Sequence, residues 1–104
     1  SADSILATLI TKIKKIDKAT ILVDGHTDSD GEESYNLDLS DKRSHSVAQR
    51  LKLLLQNNPN YDYLINSYGE TKPRTSNDSY ENKQLNRRVE ITILPPLSYY
   101  ESIE

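Results

Sequence analysis

Residues 20–28 read Thr-Ile-Leu-Val-Asp-Gly-His-Thr-Asp, and the architecture of the chain can be worked out from them. The first five form a run rich in β-branched residues that Gly25 ends, which predicts a short buried strand over Thr20–Asp24. Before this strand, apolar residues recur at three- and four-residue spacing between Ser4 and Ile16, which predicts an amphipathic helix. A helix that leads into a buried strand indicates packed layers of helix and sheet.

A loop and a second helix are predicted on the C-terminal side of this strand. Residues 25–35 are polar and contain two glycines and several acidic residues, which predicts a loop. Ser40 is a suitable N-cap with Asp41 in the first turn behind it, and Leu39 is placed to staple the entry. The helix is expected to end at Gln56-Asn57-Asn58-Pro59, and its apolar stripe consists of Val47, Leu51, Leu54 and Leu55.

Two further strands are predicted, over Tyr63–Tyr68 and over Arg88–Leu94, where apolar and polar residues alternate. The long polar connection Glu70–Arg87 is expected to be functional or to contain a short helix. This order predicts an α/β sandwich (α+β), with helices packed on one face of a small mixed sheet. Residues 1–94 would form one domain, followed by a tail over 95–104 in which Tyr99 and Tyr100 are loosely held.

Composition excludes several classes of function. The chain has 104 residues, which is enough for one domain with one core. Its 13 basic and 16 acidic residues are interspersed, so no basic stripe is available for nucleic acid. No cysteine is present to form disulfides or thiolate metal sites, and no run of apolar residues is long enough to cross a membrane. If the protein is tethered to a membrane, we expect the anchor to lie outside this sequence.

Asp28 and Arg43 are the candidate binding residues that the predicted topology brings together. Asp28 follows the end of the first strand and Arg43 is predicted in the first turn of the next helix, and such positions meet in one crevice of α/β folds. Arg43 precedes Val47 by four residues, so its guanidinium is expected to start from the inner face of the helix. A fixed carboxylate and a fixed guanidinium together complement a zwitterionic amino-acid head group. The alternative is that the two side chains simply pair with each other.

A metal site or a hydrolase site would need other residues. His26 and His45, with Asp24 and Asp28, do not have the spacing of a helical zinc motif, and residues 28–31 lack the full set of calcium-loop ligands. We therefore expect no metal and no cofactor. His26 is better interpreted as closing the strand end and His45 as facing solvent.

The only candidate nucleophile set is His26 with Ser29 or Ser40, and no Gly-x-Ser-x-Gly turn is present, so we expect no enzymatic activity. Arg87 and Arg88 are expected to be solvated charges at the start of the last strand. Arg88 alternates onto the face opposite Val89 and could line the same crevice as Asp28.

Three segments of the chain together carry a family pattern. The first is Asp24–Asp28, and the second is Asn36–Ser44 with Val47. The third consists of Ser67–Glu70 with Pro73, followed by Asn77, Glu81-Asn82 and Asn86–Ile91. They resemble the motifs of the OmpA-like C-terminal domain, and the similarity keeps order and spacing from Ser1 to Ile93. The family includes porin tails, peptidoglycan-associated lipoproteins and MotB-like flagellar stator proteins.

The resemblance implies a function as well as an OmpA-C-like fold. In the family, the acidic residue and the arginine at the positions of Asp28 and Arg43 hold the diaminopimelate of the peptidoglycan stem peptide. Thr27, Asn36 and Arg88 match further positions that line the family's pocket. The resemblance therefore implies non-covalent, non-catalytic binding of peptidoglycan by a periplasmic domain, which anchors a membrane protein or complex to the bacterial cell wall.

Two more expectations follow from the resemblance. Family members have a strand just before the position of Ser1-Ala2-Asp3, so this strand, and any pocket residue on it, is expected to be absent here. The alternative function is a protein-interaction domain that forms homodimers in a MotB-like stator or related assembly and whose wall pocket is degenerate.

Overall fold

The computed structural model describes residues 2–96, and these form a mixed three-stranded sheet with helices packed against it. The elements in chain order are α1 Ala2–Ile13, β1 Ala19–His26, α2 Glu33–Leu54, β2 Tyr61–Gly69, α3 Tyr80–Asn86 and β3 Arg88–Leu94. In the sheet, β1 lies between β2, to which it is parallel, and β3, to which it is antiparallel. The predicted α+β fold is thus confirmed. Tyr99 and Tyr100 lie outside the described residues.

The core lies on the helix-covered face of β1. Ala19, Ile21 and Val23 alternate inward along this strand, and Ile21 and Val23 are fully buried. Ile13 of α1 and Leu51 of α2 pack into the same cluster, each almost without exposed surface. Burial of one such aliphatic side chain contributes about 1.5–3 kcal/mol, so this cluster supplies most of the apolar driving force. Among residues 2–96, no helix is both long and apolar enough to cross a membrane.

The start of the second helix was predicted wrongly. α2 begins at Glu33, so Ser40 is not its N-cap, Leu39 is not a staple before it, and the expected loop is short. The reason is that the buried face of α2 is polar and small in its first half, where hydrophobic periodicity gives no signal. The buried positions recur every three or four residues and are Asn36, Ser40, Ser44, Ala48 and Leu51. The predicted stripe is correct at Leu51 and Leu55, whereas Leu54 is exposed.

Gly25 lies inside β1, because the strand continues to His26, and here α2 approaches the sheet closely. A Cβ atom at Gly25 would collide with the hydroxyl of Ser44 and the carbonyl of Ser40. The Ser44 hydroxyl donates to the Ser40 carbonyl (2.7 Å) and lies 3.1 Å from the carbonyl of Asn66 on β2. The Ser40 hydroxyl donates to the Leu37 carbonyl (2.8 Å) and accepts from Gly69 N (3.0 Å). We call Gly25, Ser40 and Ser44 the Gly25 seam.

The last two strands and the connection between them agree with the predictions. β2 and β3 occupy the predicted places, although β2 begins slightly earlier, at Tyr61. The long connection contains the short helix α3, which Ser79 caps by accepting from Asn82 N (3.1 Å). α3 ends directly before β3, so residues of the helix end and the strand start come close to the loop after β1.

Candidate functional site

Asp28 lies in the loop just past β1, as predicted, and it is 5% exposed. One carboxylate oxygen, Oδ1, accepts from the backbone N–H of Asp30 (2.9 Å). The other, Oδ2, lies 3.1 Å from Nε of Arg87. Asp28 therefore does have an internal partner, but that partner is Arg87 and not Arg43.

Arg43 lies in the middle of α2 and is exposed, so its expected places in the first turn and on the inner face are both wrong. It lies beside the buried face, which Ser40 and Ser44 occupy instead. Within residues 2–96 no carboxylate forms an ion pair with Arg43 and no hydrogen bond engages its guanidinium. Such a cation can bind an anion from outside without first breaking a contact within the described part of the protein.

An open cavity of about 480 Å³ separates α2 from the start of β3 and has Arg43 on one wall. We call it the basic cleft; its lining residues are Lys42, Arg43, Ser46, Val47, Arg87, Arg88 and Val89. Four of these side chains are cationic and two are apolar, which favours an anionic group attached to an aliphatic chain. Arg87 belongs to this lining and also contacts Asp28, so it is the residue that connects the two predicted binding residues.

Thr27 and Asn36 are buried behind Asp28 and hold its loop in shape. The Thr27 N–H donates to the Gly69 carbonyl (2.8 Å) and its hydroxyl donates to the Asp28 carbonyl (2.9 Å). The Asn36 amide lies within hydrogen-bond distance of the carbonyls of Asp30 (2.8 Å) and Asp28 (3.3 Å) and of Glu70 Oε1 (3.3 Å). These contacts fix the direction in which the Asp28 carboxylate points.

Arg88 lines the cleft, but its guanidinium already has three protein partners. It donates to Glu90 Oε1 (2.9 Å), to the Lys72 carbonyl (3.1 Å) and to the Asn86 carbonyl (3.3 Å). The hydrogen bond from Arg88 is the main reason why the pKa of Glu90 is lowered. Arg88 is therefore the fixed member of the Arg87-Arg88 pair.

α3 brings to the site residues that the sequence analysis missed. Lys83 pairs with Asp30 (2.9 Å) while Arg87, one helical turn later, pairs with Asp28. Two acids spaced i, i+2 in the loop thus face two bases spaced i, i+4 at the helix end, but this spacing does not by itself indicate which distant residues pair.

Asn86, just before Arg87, is fully buried and was also missed. Its oxygen accepts from the N–H groups of Arg74 (2.8 Å) and Thr75 (3.0 Å), and its amide donates to the Thr75 carbonyl (2.9 Å) and to Asn77 Oδ1 (2.9 Å). Asn86 therefore ties the connection after β2 to the end of α3. Asn77 Oδ1 also accepts from Ser29 N (3.3 Å), which extends the network to the loop of Asp28.

His26 closes β1, as predicted, with its ring stacked on Tyr68 at 5.3 Å. Its Nε2 lies 3.4 Å from Glu90 Oε2, but within the described residues neither ring nitrogen has a hydrogen-bond partner. Burial, assisted by Arg88, lowers the pKa of His26, while Glu90 and Asp24 oppose this shift. Since no hydrogen bond joins His26 to a serine, these residues do not form a nucleophile–base pair.

Across residues 2–96 there is no group of three or more His, Asp or Glu side chains placed to hold a metal ion. His45 is exposed, as the sequence suggested, with Nδ1 2.9 Å from the Asp41 carbonyl.

Comparisons with known proteins identify the family. The OmpA family profile matches residues 1–87, so the chain belongs to the OmpA family. It is 38% identical over 90 residues to outer membrane protein A of Bordetella avium, covering 86% of this chain and 45% of that protein. The chain spans 23–56% of the length of four curated relatives that it matches.

Solved structures of family relatives have the same fold. The C-terminal domain of Helicobacter pylori MotB superposes with a TM-score of 0.78 at 30% identity, over 94% of this chain and 75% of that one. The peptidoglycan-associated lipoprotein of Burkholderia pseudomallei superposes with a TM-score of 0.73 at 27% identity, over 86% of this chain and 75% of that one. The mixed sheet and the helices packed on it are thus the family architecture.

Proposed function

We propose that this chain is a peptidoglycan-binding domain that anchors a membrane protein or complex to the bacterial cell wall without catalysing a reaction. Family membership and the similarity to a peptidoglycan-associated lipoprotein support this function. The membrane proteins and lipoproteins among the relatives support a place in the cell envelope, with the domain in the periplasm. The parent protein would carry its membrane tether outside this sequence.

The observation that carries the proposal is the charge arrangement around the basic cleft. Arg43 lines the cleft with an exposed guanidinium that has no partner in residues 2–96. The buried carboxylate of Asp28 does not line the cleft but contacts Arg87, which does. The free end of diaminopimelate carries one ammonium and one carboxylate on the same carbon. In the proposed complex, Asp28 takes the ammonium and Arg43 takes the carboxylate in a forked contact.

The remaining predicted pocket residues would support the contacts made by Asp28 and Arg43. Thr27 and Asn36 would keep the Asp28 loop in its bound shape, since their polar groups already hold that loop. Arg88 would add positive potential to the cleft from a fixed position. A single contact with so small a head group should be weak, with a Kd in the range of about micromolar to millimolar, and the repeated wall polymer compensates through effective concentration.

The deciding experiment is calorimetric titration with a diaminopimelate-containing muropeptide. Asp28→Ala and Arg43→Ala should each reduce affinity by at least about tenfold, because each leaves one ligand charge unpaired. Arg74→Ala is a suitable control, since Arg74 is an exposed arginine outside the cleft. Equal binding by wild type, Asp28→Ala and Arg43→Ala would refute the proposed site.

A second candidate is a homodimerisation domain in a stator-like assembly, and the structural similarity to MotB favours it. Sedimentation at several protein concentrations distinguishes the two functions. A dimer that does not bind the muropeptide would support the second candidate and contradict the first.

A further inference from the structure

The carboxylate of Asp28 is already engaged by groups of the protein itself. Its two oxygens contact the Asp30 N–H and Arg87 Nε, and the side chain is 7% exposed. An ammonium group from a ligand therefore has to replace a cation that belongs to the protein. Any binding free energy at this carboxylate is the difference between those two interactions.

Arg87 is able to leave this position, in contrast to its neighbour. The guanidinium of Arg88 is held by three protein acceptors, and its side chain is 16% exposed. Arg87 makes one ion pair, through Nε alone, and its side chain is 37% exposed. Its guanidinium carbon lies 5.7 Å from the centre of the Tyr80 ring, a weak contact that does not fix it. Of the two adjacent arginines, Arg87 is the one that can rotate.

Arg87 also has a favourable place to go, because it lines the basic cleft together with Arg43. A carboxylate bound in that cleft would attract the guanidinium once it has left Asp28. A ligand that carries an ammonium alone displaces Arg87 and offers it nothing in return. A ligand that carries both charges displaces it and then provides its new partner.

We propose that Arg87 is an internal competitor that occupies Asp28 in the free protein and makes the site selective for ligands that carry an ammonium and a carboxylate together. This inference rests on the proposed function and adds a selectivity-determining residue to it. Arg87 thereby discriminates against wall peptides whose third residue is lysine, which has the terminal ammonium but lacks the terminal carboxylate.

The test compares two muropeptides that differ only in diaminopimelate or lysine at the third position. The ratio of the Kd for the lysine form to the Kd for the diaminopimelate form is measured by calorimetry. It is measured for wild type, Arg87→Gln, Arg87→Lys and the charge-matched control Arg74→Gln. Arg87→Gln frees Asp28 for any ammonium, so it should strengthen binding of the lysine form and reduce the ratio by about fivefold to tenfold. Arg87→Lys keeps a competing cation and should restore most of the ratio, and Arg74→Gln should leave it at the wild-type value.

The outcomes separate the inference from the proposed function. If Arg87→Gln weakens both muropeptides by the same factor, Arg87 is a structural pair or an ordinary ligand contact and the competitor role is refuted. If wild type and all variants bind neither muropeptide, the proposed function itself fails. A side-chain NMR signal of Arg87 Nε–H that does not move when the diaminopimelate form saturates the protein would also refute the competitor role.

Discussion

The two sides of α2 are built in opposite ways. On the side that faces β1, the Gly25 seam leaves no room for even one added carbon atom, and its hydroxyl groups are bonded to backbone. On the side that faces the start of β3, the basic cleft leaves about 480 Å³ open, with the charge of Arg43 unpaired within residues 2–96. One helix therefore separates the residues that specify the fold from those that are available to a ligand.

The largest expected effect is on the closed side. Gly25→Val places a branched side chain against the Ser44 hydroxyl and the Ser40 carbonyl, so α2 must move away from β1. We expect a loss of about 3 kcal/mol or more in the free energy of unfolding, measured by chemical denaturation. Gly31→Ala is the control, because its new Cβ meets nothing closer than 3.9 Å and its cost is limited to the positive φ, about 1–2 kcal/mol. A Gly25→Val protein as stable as the control would contradict the closed seam.

The next largest effect is expected at Asn86, whose hydrogen bonds hold the backbone beside the cleft residue Arg87. Asn86→Ala removes the partners of two backbone N–H groups in the connection after β2. We expect a loss of about 2 kcal/mol in unfolding free energy, together with weaker muropeptide binding, because the network of Asn86 and Asn77 also reaches the loop of Asp28. Asn60→Ala, at an exposed asparagine, should change neither measurement. A change in stability without any change in binding would show that the cleft does not depend on this network.

A smaller effect on the unfolding free energy is expected from protonation of His26, at the end of β1. Burial lowers the folded-state pKa of His26, so below about pH 6.5 the unfolded chain takes up a proton that the folded protein refuses. Stability should therefore fall as pH decreases from about 6.5 towards that lowered pKa, by at most about 1.4 kcal/mol per pH unit.

His26→Phe keeps the ring beside Tyr68 and should remove this slope, whereas His45→Gln, at an exposed histidine, should keep it. The lowered pKa of Glu90 affects a more acidic range, since its stabilisation is present above the unfolded-state value and is lost as pH falls through the folded-state one. Urea unfolding of wild type and both variants between pH 5 and 8 measures the His26 contribution. An unchanged slope in His26→Phe would assign the pH dependence to another group.

The smallest effect on stability is expected in the open cleft itself. Ser46→Val adds a branched side chain of the same kind as Gly25→Val, but at an exposed position of the cleft wall. We expect the unfolding free energy to change by no more than about 0.5 kcal/mol, while muropeptide affinity falls because the cleft is narrowed. A large loss of stability would mean that the cleft is packed more tightly than its volume indicates.

Hydrophobic periodicity predicted the elements whose buried faces are aliphatic. Val89, Ile91 and Ile93 alternate along β3, and Leu51 and Leu55 mark the second half of α2; both were found where the sequence placed them. Residues 33–39 of α2 were missed because the buried face there begins with Asn36 and Ser40, which as residue types are typical of caps and loops. Here tertiary contact, and not local propensity, decides the structure.

The candidate site could be predicted only in part for a related reason. The place of Asp28 follows from the end of β1, which the sequence indicates directly. The contact between Asp28 and Arg87 depends on where a seven-residue helix docks, and no periodic signal reports that position. The inner-face position of Arg43 was inferred from Val47, but Val47 is only half-buried. The buried face of α2 is centred on Ser40, Ser44 and Ala48, so Arg43 lies beside it and is exposed.

The close approach at Gly25 also bears on how fast a ligand can be captured. Because the α2 backbone already touches β1 at Gly25, the helix cannot move closer to the sheet there, which limits how far the Cα atom of Arg43 can shift. Capture then requires only rotation of long side chains, which takes nanoseconds or less at exposed positions. The association rate should consequently be limited by diffusion and orientation, with no slow hinge step before the ligand is held.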